Sequence, residues 1–244
     1  MNLGQLSSDI FQEGTLTIFM ATFALVAYFA LYKHPGILHA LRSRYGEVEG
    51  QEYAIYLQKF WGVLFFGLLP AFVLSLTQNK GLADYGWAWR LDALTMKWLL
   101  LLSPLMVLMT WISTRKEDSL AQYPEIRRED WDGALLFRSA LGWVLYLLAY
   151  EWMFRGWLLF AAFRQMGLWP AIAVNTAIYA LAHVPKGPRE AIGAIPLGVA
   201  LCLVSLQTGS FFVAFFVHVV LALSNEWFSL YFRSRFTEER SLKA

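Results

Sequence analysis

The chain has 244 residues, of which 58% are apolar and 16% charged, with Phe, Tyr and Trp making up 17%. A soluble domain averages about 45–50% apolar and roughly 25% charged residues, so this composition excludes an ordinary soluble globular protein. The formal net charge of +2 is too small to suggest a nucleic-acid partner, and the single cysteine, Cys202, excludes an intramolecular disulfide.

The apolar excess is gathered into long runs, and a helix needs roughly 20 mostly apolar residues to cross the hydrocarbon layer. The first run, TLTIFMATFALVAYFALY at 15–32, has no Lys or Arg before it. It lacks the basic flank of a secretory signal and is expected to be a retained first helix. The polar segment 34–52 follows, with His34 and His39 beside Pro35 and Gly36. That pair alone makes a poor metal site. Further spans are expected at 56–77 and 96–113. Between them and the next span, STRKEDSLAQYPEIRREDWDG at 113–133 mixes both charge signs with one Pro, the pattern of a solvated cytoplasmic loop with room for one surface helix. Spans at 134–163, 168–184, 190–207 and 210–231 complete the count.

The fold class so read is all-α, a polytopic transmembrane helix bundle of about seven spans forming one integral membrane domain. Residues 1–133 supply accessory helices and the cytoplasmic loop, 134–231 form a four-helix core and 232–244 a cytoplasmic tail. Lys and Arg favour the cytoplasmic side of membrane proteins. With alternating spans, fifteen of the 20 Lys and Arg residues fall on one side. Lys80, Arg90, Lys97 and Arg164 fall on the other, and Arg155 lies inside a span. The expected orientation is an outside N-terminus and a cytoplasmic C-terminus, in the plasma membrane.

Ionisable side chains at membrane depth are costly and usually functional. In YLLAYEWMFRGWLLF, Glu151 and Arg155 are four apart on one helical face, with the acid on the N-terminal side, the better order for a pair. In WPAIAVNTAIYALAHVP, Asn175, Tyr179 and His183 recur every four residues as a polar stripe, and Pro185 ends the helix near His183. His218 sits in the apolar run SFFVAFFVHVVLAL, with Asn225 seven positions on and therefore on nearly the same face.

Three chemistries draw on such a set. A carboxylate and an imidazole can take a proton from water while a second imidazole or an amide stabilises the oxyanion of a hydrated carbonyl. Two His and a Glu can instead hold a catalytic zinc, although the usual H-E-x-x-H helix is missing from the sequence. A transporter's proton relay uses the same residue types.

In these residues the sequence resembles the CAAX protease and bacteriocin-processing family of intramembrane peptidases, also called the Abi family. The resemblance covers residues 135 to 231. The family's first motif, a Glu pair, three residues and an Arg, corresponds to Tyr150, Glu151, Phe154, Arg155 and Gly156. Its second, Phe with three residues before His, corresponds to Tyr179 and His183. Its last, His with three residues before Asn or Asp, meets His218 and then Ala222, and the Thr-Gly-Ser turn before the last helix is also similar.

Two positions depart from the pattern. Tyr150 stands where the family carries the Glu taken as general base, and Ala222 stands where it carries an amide or acid. The resemblance implies a peptidase in which Glu151 and His183 activate water, His218 stabilises the oxyanion with Asn225 in place of the missing amide, and Arg155 orients Glu151. The substrate is then a peptide or protein cut at or within the membrane, with lipids as the other partner. No cofactor is required by this reading, and zinc stays open. A catalytically silent family member that binds or regulates in the membrane is the alternative, ahead of a transporter.

Overall fold

A computed structural model of the chain describes residues 12–32 and 34–241. The first eleven residues, Lys33 and Lys243, which entered the charge count, lie outside the described residues. The described residues form helices and turns, with no strand among them. In chain order they are α1 (Glu13–Tyr32), α2 (Pro35–Tyr45), α3 (Glu47–Thr77), α4 (Ala93–Ser113), α5 (Gly133–Met166), α6 (Leu168–His183), α7 (Pro188–Thr208) and α8 (Phe212–Ser241).

Six of these helices are long and apolar enough to cross a membrane: α1, α3, α4, α5, α7 and the Phe212–Arg233 part of α8. The expected count of seven is not confirmed, because α6 is not among the six. That helix has 16 residues, about 24 Å at 1.5 Å per residue, short of the ~30 Å hydrocarbon layer. It still runs from one end of the bundle to the other. Its start follows Arg164, which donates to the Asp84 carbonyl at 2.7 Å and pairs with Glu13. Its end leads to Lys186, whose carbonyl accepts from Gln122 at 2.6 Å.

Local chemistry sets several boundaries. Asp92 and Asp132 cap α4 and α5, accepting the Thr95 and Leu135 amides at 2.8 and 2.7 Å. Gly209, at φ 63, ends α7 in the left-handed conformation that favours glycine and starts the turn into α8. Both α3 and α5 contain a π-helical stretch, Val63–Leu68 and Trp152–Leu158. Such widened turns free backbone carbonyls, which in lipid must find partners inside the protein. Here Trp157 donates its indole N–H to the Phe66 carbonyl at 3.1 Å, and Asn175 donates to the Phe154 carbonyl at 2.5 Å.

Residues N-terminal to the expected core form part of its packing. Tyr28 of α1 and Phe66 of α3 have ring centroids 4.9 Å apart, and Phe66 lies 5.8 Å from Tyr150 of α5. The segment expected to be a solvated loop also differs. It carries the expected short helix, Glu117–Gln122, but then crosses one end of the bundle as a strap in which Tyr123 and Ile126 are buried. Glu125 pairs with Lys59 at 2.8 Å, Arg128 with Glu52 at 3.0 Å, and Glu226 accepts from the Glu125 amide at 3.3 Å and from Ser139 at 2.9 Å. Lys59 is 5% exposed and Glu226 1%. Charges taken so far from solvent need partners, and those partners hold the strap down.

Candidate active site

Three of the sequence-singled residues meet directly. Glu151 and Arg155 are both 0% exposed, and Arg155 Nη1 donates to the Glu151 oxygens at 3.1 and 3.4 Å. The other carboxylate contact is His218 Nδ1, 2.5 Å from Oε1. A carboxylate only accepts, so this ring donates through Nδ1–H and a neutral His218 keeps its lone pair on Nε2. Arg155 turns its remaining face to the stripe on α6, with its guanidinium carbon 4.0 Å from the Tyr179 ring centroid, a cation–π contact. Its Nε and Nη2 have no hydrogen-bond partner among the described residues. The π stretch in α5 carries Arg155 and begins one residue after Glu151. That irregular turn therefore presents the pair to both α6 and α8.

His183 is placed by its own helix. Its Nδ1 lies 2.8 Å from the Tyr179 carbonyl, which can only accept, so the hydrogen sits on Nδ1 and the lone pair again on Nε2. The sequence reading joined His183 to Glu151. The structure pairs Glu151 with His218 instead, because the α5–α8 contact fills the carboxylate. The imidazoles are linked through Tyr150, whose ring stands edge-on to both, at 6.3 Å from His183 and 5.7 Å from His218.

Two cavities open on this group. One of about 340 Å³ lies toward the strap and includes Tyr28, Lys59, Glu125, Tyr146 and Tyr150 in its lining. The other, about 540 Å³, opens among α4, α7 and α8 and is lined largely by apolar residues such as Leu102, Met106, Met109 and Leu197. Both His183 and His218 line both cavities, whereas Glu151 and Arg155 line neither. Asn225 lies on the wall of the larger cavity. It is seven residues past His218, about 10 Å along the helix axis. Ala222, one turn from His218, is buried.

The charges at the strap end of the bundle form no motif in the sequence. Lys59 lies 3.3 Å from the Trp143 ring centroid, and Lys186 lies 5.6 Å from the same ring. Burial alone would raise the Glu125 carboxyl, but the Lys59 and Lys186 ammoniums outweigh it and hold that group below its ordinary range. A lysine at a span edge looks like a snorkelling side chain in a sequence. Only the helix start at Glu47 puts Lys59 well inside the bundle. Among the described residues, no group of three or more His, Cys, Asp and Glu side chains is arranged to hold a metal ion.

The site is thus a buried carboxylate and arginine joined to an imidazole that faces both cavities. Residues 132–224 match the profile of the type II CAAX prenyl endopeptidase Rce1-like family, and the six long apolar helices make the chain an integral membrane protein. The matched segment includes Tyr150, Glu151, Arg155, His183 and His218 and stops one residue before Asn225. Comparison with curated proteins and comparison with solved structures each give no match.

Proposed function

We propose that the chain is an intramembrane peptidase in which His218, oriented by Glu151, is the general base. The Glu151–His218 hydrogen bond at 2.5 Å carries this reading. Glu151 is closed off from both cavities, so its contribution passes through the ring that it orients, as a buried carboxylate does for a catalytic imidazole. A water on the shared cavity wall gives one hydrogen bond to His218 Nε2 and the other to His183 Nε2. His218 takes the proton as the water oxygen bonds to the peptide carbonyl carbon. The C–N bond then breaks, and the same proton passes to the leaving nitrogen.

Tyr150 lines the smaller cavity and touches both imidazoles, and its O–H is the donor we assign to the developing oxyanion. Arg155 fixes the Glu151 carboxylate. Asn225, about 10 Å further along α8, is left outside the chemistry. The larger apolar cavity suits the lipid chain of a prenylated peptide, the substrate class in the family's description. The strap end of the bundle is assigned to the cytoplasm on the charge bias of the sequence. A silent membrane-binding protein is the second reading, favoured by Tyr150 in place of the family's first Glu.

The test is cleavage of prenylated and unprenylated peptides by the purified protein in detergent, against Glu151→Gln, His183→Ala and His218→Ala. Positioned general-base catalysis contributes about 10²–10⁴-fold, so kcat should fall by that order in His218→Ala and by less in Glu151→Gln. Equal cutting by all four proteins, or cutting by none, would reject the peptidase and leave the silent binder.

A further inference from the structure

Asn175 belongs to the polar stripe of α6 and lines neither cavity. It is 0% exposed, and its side-chain amide bridges two other helices. Nδ2 donates to the Phe154 carbonyl of α5 at 2.5 Å, and Oδ1 accepts from the Cys202 thiol of α7 at 3.2 Å. Chemistry fixes which way the amide faces. A backbone carbonyl only accepts, so the NH2 group must point to Phe154, and the oxygen is left for a donor. Cys202, also 0% exposed, supplies that donor as S–H.

The Phe154 carbonyl belongs to the peptide plane that leads into Arg155. It lies in the π stretch, and Gly156, two residues on, departs from helical geometry at φ −99 and ψ −108. Beside such a break the helical ladder no longer dictates the plane, and in lipid its carbonyl needs a partner within the protein. The same helix holds the far end of the arginine. Tyr179, one turn after Asn175, has its ring centroid 4.0 Å from the Arg155 guanidinium carbon. Helix α7 backs both contacts. A Cβ at Gly198 would lie 3.1 Å from Tyr179 Cδ1, so the glycine admits that ring, and Cys202 is one turn further along. Backbone and guanidinium of Arg155 are therefore both seated on α6, with α7 behind it.

From this juxtaposition we infer that Asn175, locked by the Cys202 thiol, is a positioning residue for peptide hydrolysis. It fixes the plane ahead of Arg155, and Arg155 in turn fixes the Glu151 carboxylate that orients His218. The inference rests on the peptidase reading for its catalytic consequence, whereas the clamp on the π turn is a property of the fold. Leaving a buried carbonyl without its donor is unfavourable, which drives that backbone to shift. A displacement of about 1 Å in a catalytic arrangement costs on the order of 10²-fold in rate.

The experiment compares wild type with Asn175→Leu, Cys202→Val, Cys202→Ser and Val213→Ala, all purified in detergent. Val213 is buried in the separate α4–α7–α8 cluster and lines neither cavity, so its truncation loosens packing away from α6. Cleavage of one prenylated peptide gives kcat and KM, and mass-spectrometric hydrogen exchange follows the backbone of Trp152–Leu158. Asn175→Leu is expected to lower kcat by about 10–100-fold with KM within about twofold. Exchange in the segment should quicken by about tenfold. Cys202→Val should lower kcat severalfold, and Cys202→Ser, which keeps a donor, should restore it. Val213→Ala should lower the melting temperature and leave kcat and the segment's exchange as in wild type. A kcat unchanged in Asn175→Leu, or a fall that Val213→Ala reproduces, overturns the positioning role and leaves the peptidase standing. Should Asn175→Leu not fold, the cysteine pair decides, and equal kcat in Cys202→Val and Cys202→Ser overturns the assignment. If no protein cuts, the peptidase reading falls and exchange alone decides: faster exchange in Asn175→Leu but not in Val213→Ala keeps the clamp, and equal exchange removes it.

Discussion

Tyr150 is buried between two imidazoles and Phe66, with only its cavity edge left to water. By sequence it is the position where the family's water-activating Glu is missing. The adjacent Glu151 is committed to Arg155 and His218, and in the proposed mechanism His218 takes the place of that Glu. Tyr150→Phe keeps the ring in place and removes the O–H. Loss of one oxyanion donor costs about 10²–10³ in kcat, and the expected result here is a fall of that order in kcat with KM little changed. An unchanged kcat would show that the phenol only packs. Glu151, Arg155, His183 and His218 were legible as candidates because charged or ionisable side chains in apolar runs stand out. Their pairing was not legible, because spacing on one helix says nothing about which neighbouring helix supplies a partner.

The element that organises the site is the irregular turn in α5. Gly156 has φ −99 and ψ −108, and a Cβ there would sit 2.3 Å from Trp152 Cδ1 and 2.8 Å from the Tyr85 carbonyl oxygen. The second contact is to backbone, which cannot rotate away. Gly156→Ala is therefore expected to lower stability by about 1–3 kcal/mol, the usual cost of overpacking, read as a drop in melting temperature in detergent. It should also cut activity by disturbing the Glu151–Arg155 pair. A variant as stable as wild type would show that α5 straightens at little cost. In the sequence this glycine was visible as a motif residue. The π turn was not, since it depends on Trp157 and Asn175 finding carbonyls at Phe66 and Phe154.

At the scale of the whole molecule the helices arrange Glu13, Lys80, Asp84 and Arg164 at one end and Glu52, Lys59, Glu125 and Lys186 at the other. Single cysteines at Lys80 and Leu120 should therefore react with impermeant maleimide from opposite sides of the membrane, the buried native Cys202 giving little background. Labelling of both from one side would rule out this arrangement. The sequence alone determined that the chain is a helical membrane protein and which ionisable residues lie at depth, because apolar run length and the cost of burying charge are local properties of a chain in lipid. Only the tertiary structure decided that α6 is a short helix within the bundle, that His218 rather than His183 holds Glu151, and that the polar strap is packed against Lys59 and Glu226. Each of these depends on which groups from distant parts of the chain satisfy one another where water is excluded, and one-dimensional spacing does not carry that information.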